Sequence, residues 1–246
     1  MLKKSVLFLI ILIILSSSQL AADYREKKIV ISNIHNYTEI YETLYVPNFN
    51  VVNKLLEELS LDKLNLTSSV AIETKFSLGG NYYFGILATI PQNYRRNYQF
   101  QNETGNTINR YMEFSSYHYG ISVDRRFVLP GYFQLFTGLQ INETIQRMTI
   151  SQTDGNNSWN PLTNPNNNNF SQNYILKAFT ILPQVNLLYH VFDSCYLKAG
   201  VGYVIDFMDN SEWEALYSNK TYDFDSPNKA SLNGLMFNVG ISFSLF

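Results

Sequence analysis

The stretch of sequence that decides the fold is Asn233-Gly-Leu-Met-Phe-Asn-Val-Gly-Ile-Ser-Phe-Ser-Leu-Phe246. Large apolar side chains alternate in it with small or polar ones. Because successive side chains of a β-strand point to opposite faces, a period of two predicts a strand with one apolar face. The apolar set is Leu235, Phe237, Val239, Ile241, Phe243 and Leu245. A soluble β-sandwich can also contain such a strand, so this stretch must be interpreted together with the other predicted strands.

Seven further segments have the same alternation, the first of them less clearly. A tight turn at Gly79-Gly80-Asn81 separates two of them, because glycine accepts positive φ. One long strand bent at the glycines is the alternative, but it would be about twice the length of a tilted membrane crossing. We expect a β-bulge at Pro183, which cannot donate to the ladder. The segments are Ile29–Val46, Ser69–Leu78, Tyr82–Ile90, Tyr111–Val123, Phe133–Ile141, Phe179–His190 and Leu197–Phe207.

The connections between these strands alternate between long and tight. Membrane barrels of bacteria have short turns at one end and long loops at the other, whereas a soluble sandwich has no reason to sort its loops. The sequence therefore predicts an all-β fold, an antiparallel up-and-down transmembrane β-barrel over residues 67–246. Eight strands are expected, with ten as the alternative. The long polar connections are Pro91–Arg110, Ser151–Gln172 and Met208–Ser231.

Residues 23–66 are expected to hold the first strand and a short amphipathic helix near residues 50–61. Val52, Leu56 and Leu59 follow helical spacing, and Asn48 or Asn50 could provide the N-cap. Such a helix could lie on the membrane surface, sit in a loop or pack against the barrel mouth. Its most general role is to cover an apolar surface.

Residues 1–22 have the pattern of a cleaved signal peptide. Lys3 and Lys4 precede the apolar run Val6–Leu15, and a small or polar exit follows at Ser16–Ala22. The run is too short to span a bilayer, so it predicts export through the inner membrane. Cys195 is the single cysteine, which excludes a disulfide within the chain.

The composition agrees with a membrane barrel. The formal charge of −2 gives no sign of nucleic-acid binding. Aromatic residues reach 15%, which suits interfacial girdles of Tyr and Phe around a barrel. After residue 22 no apolar run approaches the roughly 20 residues of a membrane helix. A secreted, soluble β-sandwich remains the alternative architecture.

Polar and charged residues on the opposite strand faces would point into the lumen. An eight-stranded barrel is just wide enough for its own side chains to fill it. We expect these residues to satisfy one another and to plug the barrel, with a narrow water or ion path as the alternative. The predicted network contains Glu73, Lys75, His118, Gln140, Gln184, Asn186, His190, Lys198 and Asp206.

Catalytic chemistry has little support in the sequence. Ser116 and His118 lie two residues apart on one strand face, but hydrolysis needs an orienting carboxylate and access for substrate. Both residues are expected in the lumen, where an acyl chain would not arrive. The pattern predicts no enzyme, no metal site and no cofactor, with lipid A or phospholipid hydrolysis as a remote alternative.

The leader, the alternating strands, the loop asymmetry and the final Val239-Gly-Ile-Ser-Phe-Ser-Leu-Phe246 together resemble the small bacterial outer-membrane barrels of the OmpA-like and OmpX-like group. The resemblance covers roughly residues 69–246. It implies a location in the bacterial outer membrane, contact with outer-membrane lipid, and recognition by the barrel-assembly machinery through Phe246, Phe243 and Ile241. The apolar set lies one residue out of step with the terminal Phe246, which departs from the usual signal.

The resemblance also bears on function. It implies a monomer with a structural or surface-interaction role, in which the long loops meet a host or extracellular ligand, since loops on a rigid scaffold often bind partners. A narrow pore for small solutes is the alternative, and a membrane-embedded lipid hydrolase is a third possibility.

Overall fold

Eleven β-strands and one short helix make up the part of the chain that the computed structural model describes, residues 36–101, 105–153, 170–207, 213–215, 221–222 and 231–245. The helix is α1 (Asn50–Glu58). The strands are β1 (Asn36–Pro47), β2 (Thr67–Gly79), β3 (Tyr82–Pro91), β4 (Tyr94–Gln101), β5 (Thr107–Val128), β6 (Phe133–Thr153), β7 (Phe170–Phe192), β8 (Cys195–Asp206), β9 (Trp213–Ala215), β10 (Thr221–Tyr222) and β11 (Gly234–Leu245). The predicted leader at residues 1–22 lies outside the described residues, as does Ile29-Val30-Ile31.

Eight of these strands form a closed antiparallel ring. Its order is β1, β2, β3, β5, β6, β7, β8 and β11, and β11 pairs again with β1. β4 continues the position of β3 along the other half of β5, while β9 pairs with β7 and β10 with β9. The predicted all-β barrel of eight strands is confirmed, and its first strand ends at Pro47 as the sequence indicated.

The strands are strongly staggered around the ring. Asn36 pairs with Phe76 of β2, and the register followed through the other strands returns to β1 at Val46, ten residues further along. Stagger and strand tilt are linked, and closed barrels of this size have strands tilted by about 35–45°. The ring therefore encloses an interior that side chains can fill.

The two ends of the barrel differ in their connections. At one end, which we call the turn end, β2–β3, β5–β6 and β7–β8 are joined by two to four residues. The longer connections all lie at the opposite end, the loop end. β5, β6 and β7 have 22, 21 and 23 residues, about twice the 9–11 residues that a membrane crossing needs. This side of the barrel therefore projects well beyond a membrane at the loop end.

The polar connection expected at Pro91–Arg110 is wrong in part, because most of it is a hairpin. β4 pairs with the first half of β5, from Tyr94 opposite Phe114 to Gln101 opposite Thr107. The outer face of this hairpin carries Arg, Asn and Gln side chains that meet water. A strand with polar residues on its outer face, and a mixture on its inner face, lacks the alternation that marks a membrane strand.

The bulge expected at Pro183 is also wrong. Pairs of β7 with β8 are interrupted at Leu182 and Pro183, but the register is the same on both sides of the gap. On its other side Pro183 keeps its place opposite Leu139 of β6. Because Pro183 has no N–H donor, the ladder between β7 and β8 has a local gap there, but it has no extra residue of the kind that defines a β-bulge.

α1 lies where the sequence predicted a helix, but its N-terminus differs. Phe49 occupies the N-cap position, and no side chain caps the helix there. The Asn48 Oδ1 atom instead accepts a hydrogen bond from the Asn50 backbone N–H at 3.2 Å. None of the described helices is long and apolar enough to span a membrane.

Strand faces divide as the alternation predicted. Side chains of one parity are largely exposed and mostly apolar all the way round the ring, whereas those of the other parity are buried and largely polar. On β11, Val239 is 66% exposed and Ser242 is fully buried. Other exposed members of the outer set include Ile40, Ile72, Ile86, Ile121, Ile141, Phe179, Leu187 and Leu197.

Candidate functional site

Five charged side chains meet in the lumen at the middle of the barrel, and we call them the ionic cluster: Glu39, Glu73, Lys75, Asp124 and Lys198. All five side chains are buried. Lys75 Nζ lies 3.0 Å from Asp124 Oδ2, 3.4 Å from Glu39 Oε2 and 3.7 Å from Glu73 Oε1. Lys198 Nζ donates a short hydrogen bond to Glu39 Oε2 and lies 3.7 Å from Glu73 Oε2. The cluster is one connected network across four strands.

Neutral side chains add hydrogen bonds to Glu73 in this cluster. The Tyr41 hydroxyl donates to Glu73 Oε2 at 2.9 Å, and the Ser122 hydroxyl donates to Glu73 Oε1 at 2.6 Å. Lys198 Nζ also lies 3.5 Å from the centre of the Tyr41 ring, a favourable cation–π distance. Three carboxylates face two ammonium groups, so mutual pairing is what makes their burial tolerable.

The structure brings some of the predicted lumen residues into the ionic cluster and leaves others apart. Glu73, Lys75 and Lys198 belong to it, and Gln184 Nε2 reaches Asp124 Oδ1 at 3.5 Å. Asn186 and Gln140 are also buried in the lumen, and Gln140 lines the cavity beside His118. His118, His190 and Asp206 lie elsewhere.

Asp206 and His190 lie towards opposite ends of the lumen. Asp206 Oδ2 accepts the Leu232 backbone N–H at 3.5 Å near the loop end. His190 is only half-buried near the turn end, where its ring stacks on Tyr132 at 6.1 Å. The predicted network is therefore divided among layers.

Sequence reasoning missed Glu39 and Asp124. Glu39 shares its parity with Tyr37 and Tyr41, so an inward position could have been read from the alternation. Asp124 was assigned to a connection because the apolar pattern ends at Val123, but β5 continues to Val128. A charged residue in a strand looks like the start of a loop unless its cross-strand partners are known.

Ser116 and His118 do contact each other in the lumen. The Ser116 Oγ atom lies 3.3 Å from His118 Nε2, and His118 Nδ1 lies 2.9 Å from the Thr144 hydroxyl. A hydroxyl holds the position that a carboxylate takes in a hydrolytic triad. Both residues are almost completely buried, at 3% and 4% exposure. The buried, hydrogen-bonded arrangement of Ser116 and His118 is therefore that of structural residues in the lumen.

A small cavity adjoins His118. Its volume is about 10 Å³, at the lower limit for one water molecule. It is lined by Tyr41, Thr43, Ala71, Leu87, Thr89, His118, Gln140, Asn142, Leu182, Gln184, Met236 and Asn238. An acyl chain does not fit there. Among the described residues, no group of three or more His, Cys, Asp or Glu side chains has the geometry of a metal site.

An apolar cluster closes the lumen at the loop end, and we call it the mouth cluster. Val52 and Leu56 of α1 are buried against inward side chains of β5, β6 and β7. Arg110 Nη1 donates to the Leu59 carbonyl at 2.9 Å and so ties the end of α1 to the wall. The other members are Phe49, Leu61, Leu64, Met112, Phe114, Met148, Ile150, Tyr174, Leu176, Ala178, Trp213 and Leu232. Of the three locations open to the helix, the structure selects the barrel mouth.

An aromatic cluster closes the lumen near the turn end. It contains Tyr37, Tyr83, Phe136, Leu188 and Tyr196, all buried. The Tyr37 ring lies 5.4 Å from Phe136 and 5.5 Å from Tyr83, both edge to face. The Tyr37 hydroxyl donates to Gln134 Oε1 at 2.9 Å. These five packed side chains occupy the lumen near the turn end.

The predicted assembly residues are only partly within the described chain. Ile241 and Phe243 are exposed on the outer face of β11, at 41% and 40%. Phe246 lies outside the described residues. Recognition by an assembly machinery stays a prediction.

The fold is similar to solved barrel structures from bacteria. Neisserial surface protein A is 10% identical, with 87% of this chain and 98% of that chain covered and a TM-score of 0.45. OprG of Pseudomonas aeruginosa is 8% identical, with 86% and 96% covered and a TM-score of 0.48. A major outer membrane protein of Thermus thermophilus is 9% identical, with 85% and 99% covered and a TM-score of 0.45.

These neighbours are small outer-membrane β-barrel proteins. At such low identity the likeness concerns the fold. No protein-family model matches the chain, and no curated protein matches it in sequence.

Proposed function

We propose that this chain is an integral protein of the bacterial outer membrane with a closed lumen, and that it acts through the surface it presents at the loop end. The observation that carries the proposal has two parts. Three successive layers of side chains fill the lumen, and the sheet formed by β5, β6 and β7 projects far beyond the membrane. In this arrangement the outer belt contacts lipid, the lumen conducts nothing, and the projecting sheet meets partners outside the cell.

The outer face supports insertion into lipid. Exposed apolar side chains surround the barrel, and in water such a surface would aggregate. A closed sheet pairs every backbone group within the hydrocarbon, which lipid requires. Aromatic side chains mark the turn-end edge of the apolar belt, among them Tyr82, Phe133, Tyr189 and Phe243. Near the other edge the Tyr119 hydroxyl donates to the Glu143 carboxylate.

The lumen gives little support to the pore alternative. A solute would have to pass the mouth cluster, the ionic cluster and the aromatic cluster, each of which spans the interior. The cavity between them holds at most about one water molecule. Lipid hydrolysis has still less support, because Ser116 and His118 are buried and lack a carboxylate partner.

The projecting sheet offers a rigid platform for binding. On its outer face Arg95 donates to Glu113 and lies 5.6 Å from the Tyr111 ring, and Arg147 lies 5.3 Å from the Tyr117 ring. Arginine packed on tyrosine is an arrangement that protein surfaces use for recognition. The chemistry of this face fits a polar or anionic partner outside the cell.

Labelling of intact cells tests the orientation and the exposure together. Asn97→Cys places a thiol on the exposed outer face of β4, and Tyr132→Cys places one at the exposed turn end. Cys195, which is buried, is replaced by Ser in both variants. A membrane-impermeant maleimide should label Asn97→Cys on intact cells and Tyr132→Cys only after the outer membrane is opened. Equal labelling of both variants, or the reverse order, would contradict the proposal.

Conductance in planar bilayers tests the closed lumen. The refolded barrel should leave the membrane at its baseline conductance, because three layers of side chains block the interior. Steady single-channel openings by the folded protein would favour the pore alternative instead.

A further inference from the structure

Glu42 is a carboxylate on the lipid-facing side of the barrel. Glu42 has the outward parity of β1, between Ile40 and Leu44, which are 47% and 41% exposed. Its paired neighbours are Val70 on β2 and Val239 on β11. An acidic side chain thus replaces an apolar one inside an otherwise apolar belt.

Glu42 lies deep in the apolar belt. It is the seventh of the 12 residues of β1, a strand whose tilted length matches a belt about 25 Å tall. Long Lys and Arg side chains can reach the interface from such a depth, but a glutamate is too short to do so. Ionisable groups within a membrane are expensive and usually mark functional sites.

The described part of the chain offers Glu42 no partner. The two residues directly opposite it are apolar, Val70 on β2 and Val239 on β11. The diagonal positions hold Ile72, Phe237 and Ile241, which are exposed and apolar, and Ser68, which is 6% exposed. By contrast, Glu143 at the edge of the belt accepts a hydrogen bond from Tyr119, and the carboxylates of the ionic cluster are paired with lysines. The fold provides partners for these other carboxylates and leaves Glu42 to an external group.

We propose that two copies of this chain associate through the outer face of β1, with their Glu42 carboxyl groups hydrogen-bonded to each other. Copies in one membrane share an orientation, so a two-fold axis has to run along the membrane normal and bring together residues at equal depth. A self-complementary patch therefore places Glu42 opposite Glu42. The short side chains of Val70 and Val239 leave room for close approach. The monomer that the sequence suggested is replaced in this proposal by a dimer.

Other groups on the outer face fit Glu42 less well. Arg125 is the outward cation of β5, but it lies near the turn end and packs on the rings of Tyr82 and Phe127, at 5.6 and 4.9 Å. The Tyr203 hydroxyl on β8 is another donor on the outer face, and a Tyr203→Phe variant tests it separately.

Disulfide cross-linking tests the contact. Val239→Cys lies directly opposite Glu42 in the ladder of β1 and β11 and is 66% exposed. It is made in a Cys195→Ser background that keeps Glu42, reconstituted in lipid vesicles and treated with the membrane-permeant oxidant copper phenanthroline. The matched control is Ile141→Cys on β6, which is also exposed in the belt and lies four strands away from β1 in either direction round the ring. With Glu42 in place, Val239→Cys should form a covalent dimer at least tenfold faster than Ile141→Cys. Equal rates would overturn the proposal.

Three further variants identify the group responsible, with association measured by energy transfer between labelled copies in vesicles. Glu42→Gln should keep the dimer, because primary amides also pair with each other. Glu42→Leu should weaken association at least tenfold while the barrel stays folded, as judged by its resistance to SDS before heating. Tyr203→Phe should change nothing. Undiminished association of Glu42→Leu, or its loss in Tyr203→Phe, would each overturn the carboxyl pair.

Discussion

Replacing Lys198 by Met should strongly destabilise the barrel. The ammonium group lies within 3.7 Å of both Glu73 and Glu39, and its side chain is fully buried. At an effective dielectric constant of about 20, each contact near 4 Å contributes about 4 kcal/mol of attraction before desolvation is counted. Met has a similar shape, so the change removes the charge and largely keeps the packing.

The net cost is smaller than the sum of these attractions. Removing Lys198 also removes the cost of burying its ammonium group, but it leaves the three carboxylates of the cluster with Lys75 alone. Breaking a buried pair by removing one partner costs about 3–5 kcal/mol. We expect a loss of that size in the free energy of unfolding.

The assay is reversible urea unfolding of the barrel in detergent or lipid vesicles, followed by the fluorescence of buried Trp213. Lys54→Met, on the exposed face of α1, is the matched control and should stay within about 0.5 kcal/mol of the parent chain. The double variant Glu39→Gln/Lys198→Met should cost less than the sum of its two single changes, because the residues are coupled. A single change under about 1 kcal/mol, or strict additivity in the double variant, would refute the reasoning.

Three other outcomes follow from the packing. Leu56→Ala leaves a cavity in the mouth cluster and should destabilise the docking of α1 by about 2–5 kcal/mol, seen as faster hydrogen exchange in α1, whereas Lys54→Ala should leave exchange unchanged. Gly200→Ala would place a methyl group 2.0 Å from Asn186 Oδ1 and should cost about 1–3 kcal/mol in urea unfolding, unlike the outward Ala199→Val. The refolded chain should migrate differently in SDS electrophoresis with and without boiling, since a closed barrel has no free edge from which to unzip. Identical migration would count against closure.

The membrane-facing half of the fold was predictable because the two faces of each strand lie in different environments. Lipid outside and a filled lumen inside force a strict alternation, and Leu235 to Phe243 on β11 obey it at every position. Where the sheet rises out of the membrane, water replaces lipid and the constraint ends. This is why β4, from Tyr94 to Gln101, was taken for a loop.

The polarity of the lumen was predictable from the sequence, but the contacts between particular lumen side chains were less so. Parity alone indicated that Glu73, Lys75 and Lys198 point inward, but the residues that meet in space depend on the stagger between strands. That stagger brings Glu39 of β1 to Lys198 of β8 across β11, and no local pattern encodes it. For the same reason His118 and His190, both inward on parity, lie in different layers of the lumen.

The pairing of β1 with β11 has a consequence for how this chain folds. Asn36 lies opposite Leu245, so the ladder that closes the ring joins residues from opposite ends of the described sequence. Contacts of such high sequence separation make folding slow, because the entropy of closing the loop is lost before the contacts form. Until β11 arrives, β1 and β8 each keep an unpaired edge that other chains can bind. The time before the ring closes is therefore when this protein most depends on being kept apart from its own copies.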